Sequence, residues 1–115
     1  MNIEEIQHIC KALPSVTEDI KWGNDLVFSI GGKMFCVVGL DQPPTASFKV
    51  PDEDFDEMCD RQGFKPAPYM ARHKWVWINN IAGMSKAEWK KYLRQSYSIV
   101  ANKLPAKIKK ELGIK

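Results

Sequence analysis

Reactive side chains are scarce in this chain of 115 residues, which has two histidines (His8, His73) and three cysteines (Cys10, Cys36, Cys59) spread along it. No Cys-x-x-Cys pair occurs, so neither a zinc site nor a disulfide framework is indicated, and three reduced, mostly buried thiols are expected. There is no phosphate-binding glycine loop, no Gly-x-Ser-x-Gly elbow and no His-Glu-x-x-His helix. A Cys59–His73 nucleophilic pair has no support in spacing. No metal or cofactor is therefore expected, and the chain reads as a binding protein rather than an enzyme. No apolar run approaches the roughly 20 residues of a membrane span. The opening MNIEEIQHICKAL lacks an apolar signal core. A cytoplasmic, membrane-free protein is expected, with a monomer as the simplest state.

What is present is enough apolar sequence, 44%, for one domain over residues 1–115. The run from Leu26 to Leu40, LVFSIGGKMFCVVGL, holds two alternating strands joined by Gly31-Gly32. That dipeptide supplies the positive φ angles of a tight hairpin turn and leaves Lys33 at an exposed tip. Thr45 to Val50 reads as a third strand, with Ala46, Phe48 and Val50 on one face and Thr45, Ser47 and Lys49 on the other. His73 to Asn79 is the last strand, Trp75 and Trp77 facing one side and Lys74, Val76 and Ile78 the other. Residues 14–24 read as a connection in which Trp22-Gly23 plugs the end of the sheet. Residues 64–72 read as a loop made rigid by Pro66 and Pro68.

Three helices complete the pattern. The first spans Ile3 to Leu13 and is stopped by Pro14. The second runs from Asp52 to about Gln62 and is closed by Gly63. Its acidic first turn is not a calcium loop, because Glu57 stands where glycine is required. The third starts at the capping box Ser85-Lys86-Ala87-Glu88 and is ended or kinked by Pro105. Along it Trp89, Leu93, Tyr97, Val100 and Leu104 form one apolar arc, with Lys90, Lys91 and Arg94 on the exposed flank. The class is α+β: an antiparallel sheet of about four to five strands packed against N- and C-terminal helices.

Charge is unevenly placed. Residues 86–115 hold nine cations against two acids, whereas residues 1–85 hold eight cations against twelve acids. Such a dipole suits a polyanionic partner, although a lysine-rich closing helix also serves as a solubilising face. Nucleic-acid binding needs cations that reach phosphates and often flat side chains that stack on bases. Lys33, Lys49, Arg72, Lys74, Lys90 and Arg94 are the candidate cations. Tyr69, Trp75 and Trp77 are the aromatics near them, and a strand tryptophan is more often core than a base platform. The rival reading is a small-ligand or peptide site, or a protein–protein adaptor, using a cleft near Tyr69 and Trp75.

Leu13-Pro14, Trp22-Gly23, Gly31-Gly32-Lys33-Met34-Phe35, Lys49-Val50-Pro51, Gly63, Pro66-Ala67-Pro68-Tyr69, Trp75-Val76 and Ser96-Tyr97 occur in this order. Together they make the chain resemble the MmcQ/YjbR family over residues 1 to about 112. The resemblance implies a fold similar to that of frataxin/CyaY and DNA binding through a "double wing" of strands and helices; weak, sequence-tolerant binding to a short duplex is expected. It maps family positions onto Trp22, Lys33, Lys49, Pro68, Tyr69, Trp75 and Tyr97. Frataxin's iron chemistry is not implied, because the first helix here offers only Glu4 and Glu5. On this reading the site lies between the Pro68-Tyr69 loop, His73 and the start of the Trp75 strand, and the Lys33 hairpin, with Trp22 at its border. The lysine-rich C-terminal region would add a second, nonspecific phosphate contact.

Overall fold

The computed structural model describes residues 1–68 and 70–113. The chain runs α1 (Ile3–Lys11), β1 (Val16–Lys21), β2 (Asp25–Ile30), β3 (Lys33–Gly39), β4 (Thr45–Lys49) and α2 (Asp52–Cys59). It continues through β5 (Phe64–Pro66), β6 (Trp75–Ile78), α3 (Lys86–Asn102) and α4 (Ala106–Leu112), with 3-10 turns at Ala71–His73 and Ile81–Gly83. The strands form one sheet in the order β1-β2-β3-β4-β6-β5, and every neighbouring pair is antiparallel.

The α+β class is as expected, but the sheet has six strands where four to five were expected. The additions are β1, inside the segment read as a connection, and β5, inside the segment read as a loop. β1 is polar and buries none of its residues fully. β5 has three residues, of which only Phe64 is buried. Neither shows the alternation by which a strand announces itself; each is held by pairing to β2 or β6. The helices are shorter than expected: α1 ends at Lys11 and α2 at Cys59, and Pro105 stands between α3 and α4.

The β2–β3 hairpin turns through Gly31 (φ +58°) and Gly32 (φ +81°). Phe28 pairs with Cys36 and Ser29 with Met34, so Phe35 is an extra, bulged residue. Phe35 and Cys36 are both fully buried, and Phe35 meets Tyr97 edge-on at 5.5 Å. Ser96 of α3 joins two backbone groups beside the bulge: its hydroxyl donates to the Phe35 carbonyl at 2.5 Å and accepts the Lys49 N–H at 3.0 Å.

One face of the sheet sends Leu26, Phe28, Val38, Phe48, Val76 and Ile78 into a single core with Ile6, Phe55, Met58, Trp89 and Leu93 of the helices. The expected arc of α3 is buried there from Trp89 to Leu104. The Trp89 indole donates to the Ile81 carbonyl at 2.8 Å, and the Tyr97 hydroxyl donates to the Pro14 carbonyl at 2.7 Å. Reciprocal capping boxes start α1 (Asn2, Glu5) and α3 (Ser85, Glu88). The opposite sheet face carries Asp25, Val37, Ser47, Lys49, Trp75 and Trp77 by strand alternation. No described helix is long and apolar enough to cross a membrane.

Candidate nucleic-acid interface and sheet-face cleft

Strand direction gathers cations at one end of the sheet. β3 and β6 both run antiparallel to β4. The start of β3 (Lys33), the end of β4 (Lys49) and the residues just before β6 (Arg72, His73, Lys74) therefore lie at that one end. The hairpin tip is not a free wing. A Cβ on Gly31 would stand 2.8 Å from Cδ1 of Leu104 and 3.1 Å from Cγ2 of Ile108. The tip is thus seated on the ends of α3 and α4, which brings the exposed Lys103 and Lys107 to the Lys33 end.

The six predicted cations do not share one surface. Lys33 and Arg72 are exposed. Lys49 is half-buried, and its ammonium donates to the His73 carbonyl. Its pKa is held below the usual lysine value, first by burial and then by the charge of Lys103, with Asp52 opposing. Lys74, in left-handed backbone at φ +63°, lays its ammonium over the Phe55 ring at 5.0 Å. Lys90 and Arg94 are exposed on α3 in the helical layer, Lys90 bordering a groove with Glu5 and His8 of α1. They do not join the sheet-end set, because the α3 face opposite its buried arc looks away from the sheet. The described ion pairs are Lys11–Glu18, Arg61–Glu88 and Lys86–Glu5. Among the described residues none of the six candidates is neutralised by a carboxylate.

The predicted cleft residues fare differently. Trp22, Pro68 and Trp75 line one cavity of about 320 Å³ on the open sheet face. Its floor is Met34, Val37 and Ser47; Trp22 and Asp25 stand on one side and Ala67, Pro68, Met70 and Trp75 on the other. His73 is not among the lining residues; it is exposed in the 3-10 turn. Tyr69 lies outside the described residues. Trp22 does not plug the sheet: it is 68% exposed at the β1–β2 turn, where φ +52° followed by φ +81° at Gly23 holds the chain outside the core. Trp75 is only 4% exposed, and Lys65 sits 4.6 Å above the Trp77 ring, so neither presents an open face to a base. Asp25, Met34 and Val37 were not singled out from sequence, because only the register of the strands brings them together. The outward alternation of Ser47 with Lys49 was the one signal available.

The thiols suit structure rather than nucleophilic chemistry. Cys10 and Cys36 are fully buried. The pKa of Cys10 is driven far up, first by its hydrogen bond with Cys36 and then by burial. Cys59 is also pushed up, by burial and then by Asp56 and Asp60, which disfavours the thiolate a nucleophile needs. No group of three His, Cys, Asp or Glu side chains converges among the described residues.

The YjbR family model matches residues 11–99. The chain is similar to a crystal structure of a Deinococcus radiodurans protein with a DUF419 domain: TM-score 0.87, 24% identity, covering 99% of this chain and 89% of that one. It is also similar to a crystal structure of a Pseudomonas syringae protein: TM-score 0.71, 17% identity, covering 87% and 99%. Both likenesses speak to the fold. No curated protein matches.

Proposed function

The chain belongs to the YjbR family, and on that footing we propose that it is a non-enzymatic, weak, sequence-tolerant DNA-binding domain whose phosphate contacts lie at the hairpin-tip end of the sheet. We take it to work as a cytoplasmic monomer. The observation that carries the reading is the seating of Gly31 against Leu104 and Ile108. That contact merges the hairpin cation Lys33 with Lys103 and Lys107, and Arg72 adds a further exposed charge at the same end of the sheet. Lys49 and Lys74 support the set rather than lead it, since each already spends its ammonium on His73 or Phe55.

Phosphate neutralisation releases counterions, so affinity falls as salt rises, with a log–log slope near 0.9 per phosphate. Four exposed cations predict a slope of roughly 3 to 4 for a short duplex. The test is a titration of a labelled duplex at increasing salt. A steep fall supports the proposal, and affinity indifferent to salt contradicts it.

A further inference from the structure

We propose that the cleft on the open sheet face binds a small organic amine in its protonated form, with the cation held by Asp25 and the apolar body held against Trp22 and Trp75. Of the described residues lining the cleft, Asp25 alone is charged and Ser47 alone adds a hydroxyl. The Asp25 carboxylate leans across the neighbouring strand: its Oδ1 lies 3.9 Å from where a Cβ on Gly39 would stand. No ion pair engages it among the described residues. Lys21 is its cross-strand neighbour on the same face but makes no such pair, and the Asn24 amide is turned to Asp41 instead, at 2.6 Å.

A carboxylate at the rim of an apolar cleft selects for positive charge and against phosphate or carboxylate ligands. The exposed indole of Trp22 adds cation–π attraction for an ammonium group, and the thioethers of Met34 and Met70 adapt to the shape of the apolar body. Trp22 is held in the left-handed region, a conformation that costs a bulky residue roughly 1 kcal/mol or more. That backbone conformation accompanies a large apolar side chain that stands outside the core and at the wall of the cleft. The cleft borders the cationic sheet end at Met34 and Trp75, but Asp25 is not one of the proposed phosphate contacts, so Asp25→Asn tests the cleft separately from DNA binding.

Three probes of similar shape and different charge test it: 2-phenylethylamine, 2-phenylethanol and phenylacetate. Binding is followed by amide shifts at Val37 and Ser47 and by tryptophan emission. The amine is expected to bind about tenfold or more tightly than the alcohol, and the anion most weakly. Asp25→Asn, nearly isosteric, should bring amine and alcohol to within about twofold of each other. Trp22→Ala, at an exposed position, should weaken both. Equal binding of the three probes, no shift at Val37 and Ser47 with any of them, or an amine preference that survives Asp25→Asn overturns the proposal. Self-association that covers these amides without a probe also overturns it, because it assigns the cleft to a second copy.

Discussion

Gly31 and Leu104 pack so closely that a single added carbon would force the leucine to shift: a Cβ on Gly31 would stand 2.8 Å from one Leu104 methyl and 3.0 Å from the other. This contact ties the turn of the central hairpin to the end of the long C-terminal helix. It also decides which lysines become neighbours, and so it links the packing of the fold to the proposed interface.

Gly31→Ala and Gly32→Ala separate that contact from backbone strain. Both glycines have positive φ, +58° and +81°, so each substitution costs roughly 1 kcal/mol or more for the left-handed conformation. A Cβ on Gly32 meets nothing within 4 Å. Gly31→Ala is therefore expected to lose about 1 kcal/mol more, from overpacking against Leu104 and Ile108. Urea denaturation of the two variants measures the difference, and equal losses contradict the docked tip.

Ser96→Ala removes a hydroxyl that serves two backbone groups beside the Phe35 bulge. The Phe35 carbonyl and the Lys49 N–H are then left without this partner in a packed interior. A loss of about 1–3 kcal/mol is expected, seen as a lower denaturation midpoint at unchanged slope.

Glu88 gives a pH dependence of known sign. Its hydrogen bond to Arg61, at 2.8 Å, is the first cause that holds its pKa below the usual 4.5, with the Ser85 backbone N–H helping. A carboxylate with a depressed folded pKa stabilises fully above the unfolded value and loses that contribution as pH falls through the folded one. Wild type is thus expected to exceed Glu88→Gln in stability at neutral pH, by less than about 1 kcal/mol for so accessible a pair. The gap should close below pH 4.5. Thermal melts across that range read it directly.

The legible parts of this fold were those with a local cause. Gly31-Gly32 names its turn, Ser85 with Glu88 names a helix start, and the spacing from Trp89 to Leu104 names a buried face. The illegible parts depend on partners distant in sequence. Thr17, Glu18 and Asp19 form a strand only because β2 offers an edge, and Pro66 ends a strand only because Val76 is opposite. Trp22, Pro68 and Trp75 could be grouped from sequence as cleft residues and do line one cavity. Asp25, the only charge among its described lining residues, could not, because its position over Gly39 is set by strand register. The cations were legible as residues but not as a surface: which of them meet is decided by Gly31 and Leu104, on opposite sides of the chain's middle.

Charge reversal at the merged end puts the functional account to its most direct test. A labelled short duplex is titrated into wild type, into the Lys33→Glu/Lys103→Glu/Lys107→Glu variant, and into Lys90→Glu/Arg94→Glu on the helical layer. The triple variant is expected to lose about tenfold or more in affinity, with a salt slope shallower by roughly 3, while the helical-layer variant stays close to wild type. Superimposable curves for wild type and the triple variant would contradict the placement of phosphate contacts at this end of the sheet.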